Sequence, residues 1–361
     1  MLRRLRVQGY KTLRDVDVQL GPLNVLIGPN ASGKSNLLDA FALLHEYGKN
    51  RLEDAVYARG GLNSILWAGG ELDAVKIGLA FAAALSEDAD WEFRLQLRKS
   101  GIVFVPGIQF DRSDKFAPFE DNSPSLARGL PEAEQRDEAK QELHILFRNI
   151  AAYTHFDTTP DSLIRQPSLV RPQTRLVNGG YNLANVMNYL SSMHEYRDAY
   201  EDILDVLGTA YPDFDELSFP PEGGDGRIVM RWKEKSLKHD FAAYYLSDGI
   251  LRFLCLLAIL KTPDPPPLVC IDEPELGLHP SLMPIIAALL RDASSRTQLI
   301  IATHSPQLVD ALDVEHIVIM DRVDGETRVQ RLQERPQLDA WLEHYTKGEL
   351  WLSGELGGMP W

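Results

Sequence analysis

The amino-acid sequence predicts an α/β fold, and three observations support this prediction. Its 361 residues suffice for about two domains, and the hydrophobic fraction of 44% is that of an ordinary globular protein. A short apolar strand pattern at residues 23–27 is followed by helical spacing of apolar residues over 33–47. From residue 246 to about residue 318, helix and apolar strand patterns alternate, which is the order expected of helices packed on a parallel sheet.

The segments around the first helix predict further strands. Residues 1–20 alternate apolar and polar side chains, which predicts two strands. Between residues 72 and 110, short runs with the same period of two predict an antiparallel meander. We therefore expect residues 1–110 to contain a strand, loop and helix followed by an antiparallel β-subdomain.

The middle of the chain, residues 111–240, carries mostly helical patterns, and residues 241–361 carry the alternating helix and strand patterns described above. The patterns of this middle segment are, in chain order, a polar loop at 111–130, helices at 131–150 and 182–207, a tight hairpin or loop at 220–226 and a strand at 228–232.

Composition limits the classes of function. Acidic residues outnumber basic ones by 52 to 37, and the formal net charge of −15 excludes nucleic-acid binding through overall charge, although a local basic surface stays open. The two cysteines, Cys255 and Cys270, lie in apolar runs, which favours buried thiols and a reducing cytoplasm. The longest apolar run, residues 253–260, is too short to span a bilayer, so we expect no membrane partner.

Residues 28–35, Gly-Pro-Asn-Ala-Ser-Gly-Lys-Ser, fit the pattern of a phosphate-binding loop between a strand and a helix. Glycines allow backbone N–H groups to surround a phosphate, and the positive end of the helix dipole points at the anion. In this pattern Lys34 contacts the β- and γ-phosphates, and Ser35 offers its hydroxyl to Mg²⁺. The nucleotide-binding residues predicted here are Gly28, Pro29, Asn30, Ala31, Ser32, Gly33, Lys34 and Ser35.

Two later strands end in polar residues that suit the same chemistry. The apolar run 267–271 ends at Asp272 and Glu273. A carboxylate at this point can hold Mg²⁺, and the next one can accept a proton from an attacking water. The apolar run 298–302 leads to His304; a lone histidine is usually structural, but an adjacent parallel strand would bring this one to the γ-phosphate.

Ser247, Asp248 and Gly249 open the helical pattern that runs from residue 250 to 260. Serine is a good N-cap, and glycine leaves the backbone accessible. Alone, this segment would be an ordinary capped helix. Because one phosphate loop does not need a second anion-binding helix terminus, we expect this terminus to serve the nucleotide of another subunit.

Together these segments resemble the ABC-type ATPase head shared by the RecF, SMC and OLD families, and most of all the stand-alone OLD/RecF-like AAA ATPases without a Toprim domain. The fold implied is a P-loop NTPase with an ABC-type head, which has a mixed-sheet core and an antiparallel β-subdomain. The resemblance implies that residues 1–110 and 241–361 are the two halves of this head and that residues 111–240 are a mostly helical insertion. Residues 28–35 match the Walker A motif, with Asn36 also typical, and residues 271–273 match Walker B. Residues 247–249 match the signature motif, with Asp248 where the family normally has glycine.

The resemblance assigns further residues. Residues 277–280 resemble the D-loop, and His304 the switch histidine. Lys11 belongs to an aromatic–basic element, residues 10–13, that in the family lies near the nucleotide base. The glutamine of the Q-loop is not placed: Gln96 and Gln109 are the candidates, and a solvent-facing strand position is the favoured alternative for each.

The resemblance implies an enzyme, an ATPase that uses Mg²⁺ and forms a homodimer. ATP would lie between the Walker A loop of one subunit and Ser247 to Gly249 of the other, and hydrolysis by Lys34, Glu273 and His304 would separate the subunits. Ser35 and Asp272 would hold the metal. The 57 residues after His304 are too few for an appended Toprim nuclease, so we expect a separate nuclease or other effector in DNA maintenance, repair or anti-phage defence.

Two other functions stay open at this point. The chain could be the ATPase subunit of a membrane transporter, although the long segment between its motifs argues against this. It could also be a non-hydrolysing nucleotide-dependent scaffold, against which the intact Glu273 argues. DNA binding is equally open, because a basic face and a plain solvated surface both fit the four cations Lys99, Arg165, Arg171 and Arg175.

Overall fold

The computed structural model describes residues 1–69, 72, 74–82, 90–98, 104–105, 133–335 and 338–357. The chain forms two compact units. The first unit comprises Met1–Ala152, Pro267–Cys270 and Gln298–Trp361, and the second comprises Tyr153–Pro266 and Ile271–Thr297.

The described residues form seventeen strands and eleven α-helices. In chain order the strands are β1 (Leu2–Tyr10), β2 (Leu13–Gln19), β3 (Leu23–Ile27), β4 (Ala74–Ala82), β5 (Asp90–Arg98), β6 (Phe104–Val105), β7 (Ile150–Tyr153), β8 (Ser168–Leu169), β9 (Phe214–Ser218), β10 (Pro221–Glu222), β11 (Arg227–Ile228), β12 (Arg231–Glu234), β13 (Phe241–Ala242), β14 (Leu268–Asp272), β15 (Gln298–Ala302), β16 (Ile317–Val323) and β17 (Glu326–Arg331). The helices are α1 (Lys34–Gly48), α2 (Leu52–Ala58), α3 (Leu62–Ile65), α4 (Ala133–Arg148), α5 (Leu183–Ser192), α6 (Arg197–Ala210), α7 (Asp248–Leu260), α8 (Met283–Ser294), α9 (Pro306–Ala311), α10 (Leu338–Leu342) and α11 (Lys347–Leu352).

The first unit contains an antiparallel sheet with the strand order β2-β1-β4-β5-β6. Val7 pairs with Val16 on one side and with Ile77 on the other, so apolar side chains of three strands lie in register. These side chains are buried, whereas their polar neighbours along β2 are exposed. The predicted meander over residues 72–110 is therefore confirmed for its described strands.

A second sheet of this unit has the strand order β17-β16-β3-β15-β14-β7. Its strands β16, β3 and β15 are parallel, as the apolar runs predicted, and β17 returns antiparallel to β16. All five residues of β3 and all five of β15 are buried. This burial on both faces explains why these runs are apolar throughout rather than alternating.

Helix α1 begins directly after the loop that follows β3, and its apolar stripe fixes it in the core of the first unit. Leu37, Phe41 and Leu44 are fully buried, at the helical spacing that the sequence showed. At its C-terminal end, Tyr47 forms an aromatic cluster with Phe93 of β5 and a phenylalanine of α4. These contacts hold the helix, and with it the loop at its N-terminus.

The second unit combines helices with two small antiparallel sheets, of strand order β10-β11-β8 and β13-β12-β9. Helix α7 is its most apolar helix, and the nine residues from Leu251 to Leu260 other than Arg252 are buried. Trp232 of β12 is also fully buried and packs edge-on against Tyr211. Both cysteines of the chain are buried, as expected, and burial raises the pKa of each thiol.

Three expectations about the middle of the chain need correction. The predicted helix at 182–207 is two helices, α5 and α6, because Ser191 and Ser192 bond back to the Asn188 carbonyl and the backbone at Met193 is extended. The predicted strand at 228–232 is divided between β11 and β12, which belong to different sheets.

The third correction concerns the insertion as a whole. Residues 133–240, its described part, contain strands β7 to β12 as well as helices α4 to α6, so the predicted helical insertion also includes strands. The three-part division at residues 110 and 240 also differs from the two units, because the first unit takes strands from both ends of the chain. The predicted loop at 111–130 lies outside the described residues.

Candidate nucleotide-binding site

The loop between β3 and α1 has a backbone that only glycine fits at two positions. Gly28 has φ 152° and Gly33 has φ 107°, and Ala31 between them has φ 63°. A Cβ atom at Gly28 would lie 1.9 Å from the Met320 carbonyl oxygen. Alternation between right- and left-handed residues turns successive N–H groups to one side, which is the geometry of an anion-binding nest.

Lys34 is buried and its ammonium group lies over the loop. Nζ donates to the carbonyl oxygens of Gly28 and Pro29 at 2.7 and 3.0 Å. Helix α1 begins at this lysine, and no side chain caps its N-terminus. The first backbone N–H groups of a helix have no acceptor within the helix, so an uncapped terminus such as this one suits an anion.

Ser32 provides an independent test of whether the loop fits a phosphate. The side chain is fully buried, yet its Oγ has no hydrogen-bond partner among the residues described. An unsatisfied buried hydroxyl is unfavourable by about 1–3 kcal/mol. A phosphate oxygen in the loop would accept this hydrogen bond, so the loop fits the group that the motif predicts. The other predicted members, Asn30, Ala31 and Ser35, are exposed.

A threonine that the sequence did not point to ties the loop to the C-terminal hairpin. Thr327 Oγ1 of β17 lies 2.7 Å from the Ser32 carbonyl oxygen and 2.9 Å from Thr12 Oγ1. The predicted nucleotide residue Asn36 donates its side-chain amide to Thr12 Oγ1 at 2.8 Å. Hydroxyl and amide groups from three parts of the chain therefore fix the loop in place.

Lys11 belongs to a charged cluster on the first turns of α1. Its ammonium lies 2.5 Å from Asp39, which also accepts from Tyr10 and Arg59 at 2.6 and 2.5 Å. Burial alone would raise the pKa of Asp39, but the hydrogen bonds from Arg59, Lys11 and Tyr10 outweigh it and lower the pKa to about 2. The predicted contact of Lys11 with the nucleotide stays a prediction.

A cavity of about 820 Å³ lies beside Lys11 and Thr12 in the same unit. The guanidinium of Arg14 lies 5.0 Å from the ring centroid of Trp67 and pairs with Glu326. An aromatic ring and charged side chains around an open cavity suit a planar polar ligand. Its walls include Lys11, Thr12, Arg14, Trp67, Arg322 and Glu326.

His304 follows β15, the parallel neighbour of β3. Ala302 pairs with Leu26, and the Thr303 N–H donates to the Leu26 carbonyl oxygen at 3.1 Å. The carboxyl ends of two neighbouring parallel strands lie at the same edge of a sheet. The loop after β3 and the half-buried His304 therefore lie at the same edge of the sheet, as the sequence predicted. The role of His304 toward the γ-phosphate stays a prediction.

Asp272 and Glu273 belong to the second unit. Asp272 is the last residue of β14 and is half-buried. Glu273 has φ 51°, which is rare for a residue other than glycine. Left-handed residues of this kind concentrate at functional sites, where the surrounding structure over-determines them. The backbone at Glu273 thus supports the sequence prediction that this carboxylate is functional.

The predicted signature residues are at the N-terminus of α7, in the second unit. Ser247 is the N-cap, and its hydroxyl accepts from the Ile250 N–H at 3.3 Å. Ser247 and Asp248 are exposed. A Cβ atom at Gly249 would lie 3.0 Å from the carbonyl oxygen of Gly277, so the predicted signature and D-loop segments meet within this unit.

A family model described as "AAA domain, putative AbiEii toxin, Type IV TA system" matches residues 23–310. The chain belongs to this family. The matched range includes His304 and residues 28–35, 247–249 and 271–273, which are site residues that the sequence predicts.

Solved structures show the same fold. One is an SMC head bound to the C-winged helix domain of ScpA, 14% identical, with a TM-score of 0.59 over 91% of this chain and 97% of that chain. Another is the SMC head domain bound to the C-terminal domain of ScpA, derived from Pyrococcus furiosus, 13% identical, with a TM-score of 0.56 over 95% and 98%. The OLD nuclease of Thermus scotoductus is 46% identical over 44 residues, 12% of this chain and 8% of that protein's length.

Together with the family match, these likenesses confirm the resemblance to ABC-type heads of the RecF/SMC/OLD group and the P-loop ATPase fold. The Q-loop stays unassigned: Gln96 is half-buried on β5, where it pairs with Lys76, and Gln109 lies outside the described residues. In the described part of the chain, no helix is long and apolar enough to cross a membrane.

The proposed basic face is wrong for one of its members. Arg165 is only 7% exposed and is bonded within the second unit, so it is not part of a surface for DNA. Arg171 and Arg175 are exposed, and Lys99 lies outside the described residues. Over the described ranges, no three or more His, Cys, Asp or Glu side chains are grouped to hold a metal ion.

Proposed function

We propose that this protein binds ATP with the loop of residues 28–36 and hydrolyses it. The observation that carries the proposal is the buried hydroxyl of Ser32, which lies in the same loop as the buried ammonium of Lys34. This hydroxyl has no hydrogen-bond partner among the described residues. A nucleotide phosphate offers acceptor oxygens to both groups, and charge-assisted hydrogen bonds of this kind are strong. The cavity beside Thr12 and Lys11 is where we place the base and ribose.

The roles of the other residues follow from their family motifs. Lys34 donates to the β- and γ-phosphates, and Ser35 and Asp272 would hold Mg²⁺, whose charge stabilises the developing negative charge on the phosphates. Glu273 accepts a proton from the attacking water, and its left-handed backbone sets the direction of its side chain. His304 contacts the γ-phosphate.

We propose that ATP brings two copies of the chain together. Ser247, Asp248 and Gly249 of one copy would then face the nucleotide of the other. This is supported by the exposure of Ser247 and Asp248 at the N-terminus of a 13-residue helix, where the helix dipole favours an anion. Hydrolysis would remove the γ-phosphate that joins the two copies.

The biological role that we propose is DNA maintenance or repair, or anti-phage defence, in the cytoplasm and with a separate effector protein such as a nuclease. The family description names a toxin of a type IV system, and the local likeness to an OLD nuclease agrees with it. The solved SMC heads are bound to domains of ScpA, which supports a partner protein here.

Hydrolysis is tested by measuring ATP binding and phosphate release for Lys34→Ala and Glu273→Gln. We expect Lys34→Ala to lose nucleotide binding. Glu273→Gln should bind ATP and lose at least roughly 100-fold in turnover, the usual contribution of a general base. Glu222→Gln, an exposed glutamate of β10, is the matched control. Wild-type turnover in Glu273→Gln would remove this carboxylate from the mechanism.

Dimerisation is tested separately by light scattering with and without ATP and Mg²⁺. We expect the mass to double with ATP, most completely in Glu273→Gln, because hydrolysis cannot then separate the subunits. One unchanged mass in that variant would contradict the proposed dimer.

A further inference from the structure

Arg165 is a buried arginine whose three side-chain nitrogens all make hydrogen bonds. It lies in a short 3-10 turn, residues 163–165, and its side chain is 7% exposed. Nε donates to the Thr158 carbonyl oxygen at 3.0 Å. The two terminal nitrogens reach the segment that leads into α7. A guanidinium presents its donors in a fixed planar fork, so its partners are held in a fixed arrangement.

The partners of the fork are the residues immediately before and within the signature. Nη1 lies 2.6 Å from the carbonyl oxygen of Leu246, 3.0 Å from that of Tyr244 and 3.2 Å from that of Ala243. Nη2 lies 2.5 Å from Asp248 Oδ1. Arg165 therefore fixes the chain on both sides of the N-cap, Ser247.

The contact between Arg165 and Asp248 pairs two opposite charges at the N-terminus of α7. The carboxylate of Asp248, 61% exposed, stands at this N-terminus. The helix dipole stabilises a carboxylate there, but it also makes the same terminus the place for a phosphate. Two negative groups at one helix terminus repel each other unless a cation lies beside them.

We propose that Arg165 is a positioning residue for the signature: it neutralises Asp248 and fixes the preceding carbonyls, so that this helix terminus can approach the phosphates of a nucleotide held by a second copy. The inference rests on the proposed ATP-dependent dimer. It accounts for an acidic signature residue at a terminus that must face an anion. It also gives the buried Arg165, for which the sequence left a basic face and a solvated surface open, a role in the ATPase.

The test is a double-mutant cycle in the Glu273→Gln parent, with Arg165→Gln, Asp248→Asn and both together. The quantity measured is the dissociation constant of the ATP-bound dimer by sedimentation. We expect Arg165→Gln to weaken the dimer by roughly 30-fold and Asp248→Asn to strengthen it by roughly 3-fold. With Asp248→Asn already present, Arg165→Gln should weaken it by less than about 5-fold, because the repulsion is gone. Higher salt should partly restore the Arg165→Gln dimer.

Controls separate folding and the parent proposal from this inference. Arg171→Gln removes an exposed arginine of the same unit and should leave the dimer unchanged. Asp248→Asn alone changes an exposed residue and leaves the fork in place, so it is informative even if Arg165→Gln does not fold. A 10-fold weaker dimer in Asp248→Asn, or an equal loss from Arg165→Gln with and without Asp248, would overturn the role of Arg165. No ATP-dependent dimer in the Glu273→Gln parent would overturn the proposed dimer, on which this inference rests, while ATP binding and hydrolysis are decided by their own assays.

Discussion

Replacing Ser32 by alanine should change the stability of the free protein and its affinity for ATP in opposite directions. Without nucleotide, the Ser32 hydroxyl is buried and has no partner among the described residues. Removing it should therefore raise the free energy of unfolding by about 1 kcal/mol, the lower end of the penalty for an unsatisfied buried group. With ATP, the lost bond is one to a charged oxygen, which contributes about 2 kcal/mol, so affinity should fall by roughly 30-fold.

The two effects are measured by urea denaturation without nucleotide and by calorimetric titration with ATP and Mg²⁺. Ser162→Ala is the matched control, because Ser162 is also buried but its hydroxyl donates to the Thr159 carbonyl oxygen at 2.7 Å. That variant should lose about 1 kcal/mol of stability and keep its ATP affinity. A Ser32→Ala protein that is less stable than wild type, or one that binds ATP equally well, would refute the reasoning about this hydroxyl.

Three further predictions concern the first unit. Gly28→Ala should abolish ATP binding with the fold retained by circular dichroism, because the new Cβ would lie 1.9 Å from the Met320 carbonyl oxygen. Asp39→Asn should remove about 2 kcal/mol of stability at neutral pH, because the pKa of Asp39 falls from 3.8 to about 2; wild type should lose this advantage in urea titrations as pH decreases from about 4 to 2. Gln298→Ala should lower the free energy of unfolding by about 3 kcal/mol, since its buried amide bonds both the N–H and the carbonyl of Leu2.

The parts of the molecule that the sequence predicted are those coded by contiguous residues. The loop at 28–35 needs glycine at positions where the backbone is left-handed, and that requirement is visible in the sequence itself. Strands β3 and β15 are buried on both faces, so each is a continuous apolar run that can be recognised without reference to the rest of the chain. The N-cap Ser247 and the long apolar helix that follows it are likewise recognisable from neighbouring residues alone.

Arg165 shows what composition alone could not give. In the sequence it is one arginine among several in a polar segment, and a solvated or DNA-facing role was the natural expectation. The partners of its two terminal nitrogens lie between Ala243 and Asp248, 78 to 83 residues away along the chain. No local pattern indicates which arginine will satisfy a set of distant carbonyls, because that depends on packing across the whole unit.

The contact of Thr327 with the nucleotide loop depends in turn on the register of one hairpin. In β16 and β17, Met320 pairs with Val329 and Arg322 with Thr327. Val329 packs on the hydrophobic core while Thr327, two residues earlier on the same face, reaches Ser32. A slip of one residue would turn both side chains to the opposite face and remove the hydroxyl from the loop. The turn at Asp324 and Gly325, where both residues have positive φ, holds this register, so the geometry of the loop depends on a turn almost 300 residues away in sequence.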